Sequence, residues 1–409
     1  MRLPRGLPAV CSVIAVTLTS CSSVGAAPSA APSATTSAAP STSAAPSATA
    51  SPPAVAPAPP ASSTLLPGMP PPLSPTNVYA ADQTLSAVAA TARPLVYVPN
   101  NIDSTVSVID QQTMTVIGTY PVGPAPQHVV PSYDLKTLYA TSDRVSAGGS
   151  LTPFDPNTGL PGARIPVADP YNLYFTPDDR SAIAVAEELK RLDFYDPHTW
   201  QLQQSLPVPT CAGVNHMDFT ADGKTMLFSC EFSNHLTVVD VASRTVVRDI
   251  ALTQVPNGKP QDVKLSPDGK TFYVADLRAN GVYLLDGQAK AVTGFVPTGS
   301  QAHGLYISRD ATKMYVTNRG EASISVIDLA TRQPVAKWVI PGGGTPDMGN
   351  INADGTVFWV SGRGNGVVYA ISTLDGHLIK KIAVGRGPHG LSVWPQPGRY
   401  SLGHTGILR

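Results

Sequence analysis

The sequence predicts an all-β fold, a seven-bladed β-propeller of four-stranded antiparallel blades, and three recurring marks carry that prediction. A polar residue beside Pro or Gly comes first, a turn built on Asp follows about six residues on, and strands rich in β-branched and aromatic residues complete the unit. The first mark places His128, Asn172, His216, Asp262, His303, Asp347 and His389 in register, at spacings of 44, 44, 46, 41, 44 and 42 residues. So regular a period marks repeated supersecondary units that bury their apolar faces only against one another. A sandwich also alternates apolar and polar strand residues, but gives no reason for the period.

Within each unit the polar residue opens the first strand, as in "PQHV", "VNHM", "PQDV" and "GPHG". Turns such as "SYDLK", "TADGK" and "SPDGK" then join it to a second strand. Gly accepts positive φ and Asp bonds its own backbone, so such turns make tight antiparallel hairpins. The second strand ends in "LVYVPN", "MYVTN" or "VFWVSG", and a third, such as "TVSVID" or "SISVID", ends on Asp110, Asp155, Asp196, Asp240, Asp286 or Asp328. Five of these have Thr or Ser three residues later (Thr113, Thr158, Thr199, Ser243, Thr331), the pairing of an Asp-capped turn. A short fourth strand, for example "LIKKIAVG", completes the blade.

The last unit begins with "PHGLSVWP" and has no room for its other strands. Those strands lie at the other end of the repeats, in residues 95–123, so the N- and C-terminal strands are expected to share one blade and close the ring without free edges.

Around residues 94–398 the composition changes. Residues 1–20 place Arg2 and Arg5 before an apolar run and are expected to be a lipoprotein signal peptide. The four residues "LTSC", ending at Cys21, look like a bacterial lipobox, which makes Cys21 the lipidation site; a plain secretory signal is the alternative. Residues 21–76 are Ala, Pro, Ser and Thr with little to bury, and read as a disordered tether that could reach about 170 Å when extended. Residues 77–93 read as an N-terminal extension and 399–409 as a C-terminal tail. Formal net charge is zero, with 28 basic and 28 acidic residues, so no global field recruits nucleic acid. Cys211 and Cys230 are the cysteines of the expected exported part beyond Cys21, and an oxidising compartment favours a disulfide between them.

The segment "MYVTNRGEASISVIDLATRQPVAKWVIPGGG" resembles the YVTN-repeat β-propellers, secreted or surface proteins of prokaryotes, over roughly residues 94–395. The resemblance implies the fold and an extracytoplasmic setting. It leaves function open, since similar propellers include binding proteins, lactonase-like enzymes and cofactor domains.

First strands of propeller blades line the central channel, so the seven register residues are expected to ring one mouth. The ends of the second strands return to the same face. Glu187, Glu231, Asp262 and Asp276 then make one side acidic, while His303, Arg319, Arg363 and His389 make the other basic. His216, Glu231, Asp262, Asp276 and His303 are the candidate ligands for a divalent metal or small molecule, because imidazole and carboxylate suit transition ions. His128, Asn172, Asp347, His389, Arg319 and Arg363 complete the channel ring. The expected function is a monomeric, lipid-anchored binding or interaction module of the cell envelope. The alternative is a lactonase-like hydrolase or lyase, with His216 or His303 as base and Arg319 or Arg363 holding an anionic substrate. No Gly-x-Ser-x-Gly, His-Glu-x-x-His or phosphate-loop pattern occurs.

Overall fold

Seven antiparallel sheets form the blades in the computed structural model, which describes residues 65–79, 84–404 and 406–409. The expected signal peptide, Cys21 and the tether up to residue 64 lie outside the described residues. Six sheets have four strands. In the blade carrying His128 the fourth strand is broken into Leu160–Pro161 and Ile165–Pro166, each pairing with Ser150–Asp155. Gly162 and two prolines, Pro161 and Pro166, in this stretch deprive it of the continuous N–H ladder that a longer strand needs.

Burial follows position in the blade. The first and second strands, such as Pro260–Leu265 and Thr271–Asp276, are buried along their whole length, whereas fourth strands such as Gln333–Val339 are largely exposed. Inner strands have neighbouring blades on both faces and therefore read as near-continuous apolar runs. The apolar clusters accordingly span adjacent blades: Tyr315 stacks on Phe358 of the next blade at 5.4 Å between ring centroids. Each fully buried large apolar side chain of this kind is worth roughly 1.5–3 kcal/mol.

The ring closes as expected. Ser392–Trp394 pairs antiparallel with Leu95–Asn100, Leu95 lying opposite Trp394. Gln111 Nε2 clamps the junction by donating to the carbonyls of Leu95 and Trp394 at 3.1 and 2.8 Å. The Asp-capped turns also form: the hydroxyls of Thr113, Thr158, Thr199, Ser243 and Thr331 all donate to the Asp three residues earlier.

The repeat letters have structural reasons. At the register position the ladder between first and second strands breaks, for example between Val214 and Met217 and between Ala302 and Leu305. The N–H groups freed there are taken by hydroxyls of the second strand: His128 by Thr141, His216 by Ser229, Gly304 by Thr317 and Met348 by Ser361. The Thr of "YVTN" is one of these acceptors. Its Asn, Asn318, donates instead to Ser323 and Ser325 at the start of the third strand, and Asn100 does the same with Thr105 and Ser107.

Two segments expected to hang free do not. Residues 399–409 close the hairpin face of the channel, opposite the mouth, with Leu402, His404 and Ile407 fully buried. The Leu402 carbonyl accepts from Phe175 N–H, His404 N–H donates to the Leu173 carbonyl, and Arg409 donates to the carbonyls of Phe219 and Thr220. The assignment of residues 65–76 to the tether is corrected as well. Leu66 and Met69 are buried against the hairpin turns, and Leu66 N–H donates to the Asp222 carbonyl. Tyr79 of the extension donates to the Leu265 carbonyl at 2.6 Å.

Candidate functional site

Each inner strand delivers one register side chain to the axis, because the ladder break turns that residue inward. All seven are at most 2% exposed, so they fill the channel rather than ring an open mouth as expected. The physical reason is the plug: residues 399–409 enter from the opposite face and bring a further imidazole, His404. Ring centroids lie 4.9 Å apart for His128 and His389, 5.3 Å for His128 and His216, and 6.4 Å for His216 and His303. His404 stands 4.8 Å from His128 and 4.5 Å from His216.

Burial, more than any neighbouring charge, holds these rings neutral. It lowers His128 to about 4 and keeps His216, His303, His389 and His404 well below the ordinary histidine value. His128 Nδ1 lies 2.9 Å from the Tyr171 carbonyl, which can only accept, so Nδ1 carries the proton and Nε2 keeps its lone pair.

Asp347 is the hub of the basic side. Its Oδ2 accepts from His389 Nδ1 at 2.6 Å, Arg319 donates to Oδ1, His303 Nδ1 lies 3.3 Å from Oδ1, and Arg363 approaches Oδ2 at 3.6 Å. Burial opposes ionisation here, but the Arg319 guanidinium and then the two imidazoles outweigh it and hold the carboxyl well below the usual range. Arg319 and Arg363 keep 23% and 33% of their side chains exposed, so they form the floor of the open mouth.

The acidic side is spread along the rim. Burial, then the charges of Glu231, Asp143 and Asp169, pushes Glu187 up to about 8; burial also raises Asp169 to about 7 and Asp143 to about 6. Asp143 and Asp169 went unremarked in the sequence because they sit outside the repeat marks. Glu231 accepts from Asn215 and lies 3.9 Å from Lys259.

The five candidate ligands do not converge as a set. Asp276 caps a turn, accepting from the N–H groups of Lys259, Arg278 and Ala279. Asp262 pins two blades together by accepting from Val263 and Leu305 N–H. Among the described residues, the groupings close enough to hold an ion are His128–His216–His404 and Cys211–Cys230–His235. In the second, the two sulfurs are already joined in the disulfide expected from the sequence. His404 was missed, although the apolar letters of "YSLGHTGIL" are unlike those of a solvated tail.

The fold and this plugged, histidine-lined channel define a seven-bladed propeller with a single polar mouth. The chain belongs to the YNCE-like beta-propeller family, whose model matches residues 61–397. No curated protein matches the chain. Among solved structures, a functionally unknown protein from Desulfotomaculum acetoxidans is 16% identical with a TM-score of 0.62, covering 74% of this chain and 99% of its own. A Bacteroides uniformis protein provisionally assigned as a 6-phosphogluconolactonase is 16% identical at TM-score 0.57, covering 73% and 99%. Kuenenia stuttgartiensis hydrazine synthase is 19% identical at TM-score 0.54, covering 64% and 87%. At such identities the likeness is one of fold alone.

Proposed function

We propose that this protein is a lipid-anchored, extracytoplasmic binding module of the cell envelope, monomeric, whose small anionic or zwitterionic ligand docks at the open channel mouth. The observation that carries the reading is the charge arrangement there. Partly exposed Arg319 and Arg363 stand on one side and the partly protonated Glu187, Asp169 and Asp143 on the other, while the opposite face is plugged. A guanidinium pair offers forked donors to a carboxylate or phosphate, and the rim carboxylates offer acceptors to a cationic group. The "LTSC" stretch and the Ala/Pro/Ser/Thr tether support the anchor, and the buried Cys211–Cys230 disulfide suits an oxidising compartment.

Two measurements test the reading. Expressed in a bacterium, the full chain is expected to take up radiolabelled palmitate and sediment with membranes, and Cys21→Ser to lose both. Thermal-shift screening against amino acids, sugar phosphates and dicarboxylates is expected to give a hit that Arg319→Ala with Arg363→Ala removes. A soluble wild type, or a hit indifferent to both arginines, would overturn the corresponding half.

A hydrolase is the second reading, favoured by one observation. His389 is oriented by Asp347 as a general base is by its carboxylate, and its Nε2 lies 3.3 Å from the Tyr171 hydroxyl beside the arginine pair. Turnover of 6-phosphogluconolactone or simple lactones, lost in His389→Gln, would establish it; the binding reading expects none.

A further inference from the structure

We propose that His128, His216 and His404 form a site for a late first-row transition ion, of the zinc or copper class, assembled only when residues 399–409 occupy the channel. One ring nitrogen from each lies within 4.8 Å of the others, and all three side chains are fully buried. A buried imidazole nitrogen ordinarily finds a hydrogen-bond partner. Here His128 Nε2, His216 Nε2 and both nitrogens of His404 have none. Three buried imidazoles, each bringing a nitrogen without a hydrogen-bond partner to within 4.8 Å of the other two, are the feature the fold does not otherwise explain. Three imidazoles without a thiolate match the ligand preference of zinc, copper and nickel rather than calcium or magnesium.

The surrounding groups prepare two of the three ligands. The Tyr171 carbonyl fixes the His128 tautomer that leaves Nε2 free to donate its lone pair. Asp262 Oδ1 stands 3.6 Å from His404 Nε2, where it can receive that proton while Nδ1 turns to the ion. Nitrogens bound to one tetrahedral zinc at about 2.0–2.1 Å are roughly 3.4 Å apart, so separations of up to 4.8 Å must close by as much as about 1.4 Å. The plugging segment, held to the inner strands by the single bridge of Gly403 to Tyr174 and a few hydrogen bonds rather than by a full ladder, is the element on which that contraction falls.

His216 is the exception, and it gives the sharpest test. Leu173 N–H donates to Asn172 Oδ1, which leaves the Asn172 amide nitrogen facing His216 Nδ1 at 3.2 Å. That arrangement puts the ring proton on Nε2, the atom wanted by the ion. Coordination through Nε2 moves the proton to Nδ1 and requires Asn172 to rotate. Asn172→Asp would accept from Leu173 N–H and from His216 Nδ1 at once, so Asn172 is a positioning residue whose replacement should tighten binding.

The experiment uses the exported chain without a histidine tag, stripped with chelator and titrated with Zn²⁺ by calorimetry, with Co²⁺ as a spectroscopic probe and native mass spectrometry for stoichiometry. The expected result is one ion per chain, a tetrahedral Co²⁺ spectrum and a raised melting temperature. Affinity should fall by more than the roughly 10–100-fold that loss of an outer partner costs in His128→Ala and in His404→Gln, and rise by about tenfold in Asn172→Asp. The exposed His198→Ala should change nothing. Should His404→Gln melt early, the wild-type shift with Zn²⁺ and the Asn172→Asp gain still decide the matter. No stoichiometric ion, an ion retained by folded His404→Gln, or weaker binding in Asn172→Asp would each overturn the proposal.

Discussion

At the residue scale, the rim carboxylates behave unlike ordinary surface acids. Glu187 titrates at about 8 in the fold against about 4.3 in an unfolded chain, because burial and the facing Glu231, Asp143 and Asp169 disfavour its charge, with Arg363 opposing them. A raised carboxyl contributes stability that is complete below the unfolded value and is lost as pH rises through the folded one. Asp169 and Asp143 act in the same direction. From about pH 6.5 to 8, above the range in which the buried histidines act in the opposite sense, stability measured by urea denaturation should therefore decline, and Glu187→Gln should flatten that decline. Identical slopes in mutant and wild type would show that Glu187 is not the group responsible. Gly403 is another residue whose identity is dictated locally. Its φ is +116°, and a Cβ there would meet the Leu173 carbonyl oxygen at 2.5 Å. Side chains are excluded where the plug threads past the inner strand.

At the element scale, the blades differ in how their strands are fastened. In the blade of His216, Cys211 precedes the first strand and Cys230 ends the second, with Cα atoms 4.9 Å apart. The bond closes a loop across 19 residues, and Cys211→Ala with Cys230→Ala is expected to cost about 2–4 kcal/mol in chemical denaturation. A cost near zero would mean that strand pairing alone holds this corner. The hydroxyls of Thr141, Ser229, Thr317 and Ser361 perform a different task, satisfying the N–H groups released where the inner strands turn a side chain to the axis. Fold and site are thus coupled, since the ladder break that places His216 would leave a buried unsatisfied donor without Ser229.

At the scale of the whole molecule, Ser392–Trp394 removes the edge that Leu95–Asn100 would otherwise present. Deletion from Gly387 onward exposes that fully buried strand and is expected to unfold or aggregate the protein. Deletion from Arg399 onward keeps the closing strand and removes only the plug, so it should retain cooperative melting at a lower temperature. If the longer deletion melted like the wild type, the ring would not depend on its latch.

The sequence by itself determined the blade count, the strand order, the Asp-capped turns and the closure, because each depends on local patterning repeated at a fixed period. It also put the seven register residues, from His128 to His389, on the innermost strands, but as a ring around an open mouth. Only the tertiary structure decided which of them meet. Asp276 and Asp262 carry the letters of a ligand, yet Asp276 is turned to N–H groups of its own blade and Asp262 to those of Val263 and of Leu305 in the neighbouring blade. His404 carries no repeat mark at all. It reaches His128 and His216 because residues 399–409 bury Leu402 and Ile407 in the channel, a long-range packing choice that no window of the sequence contains.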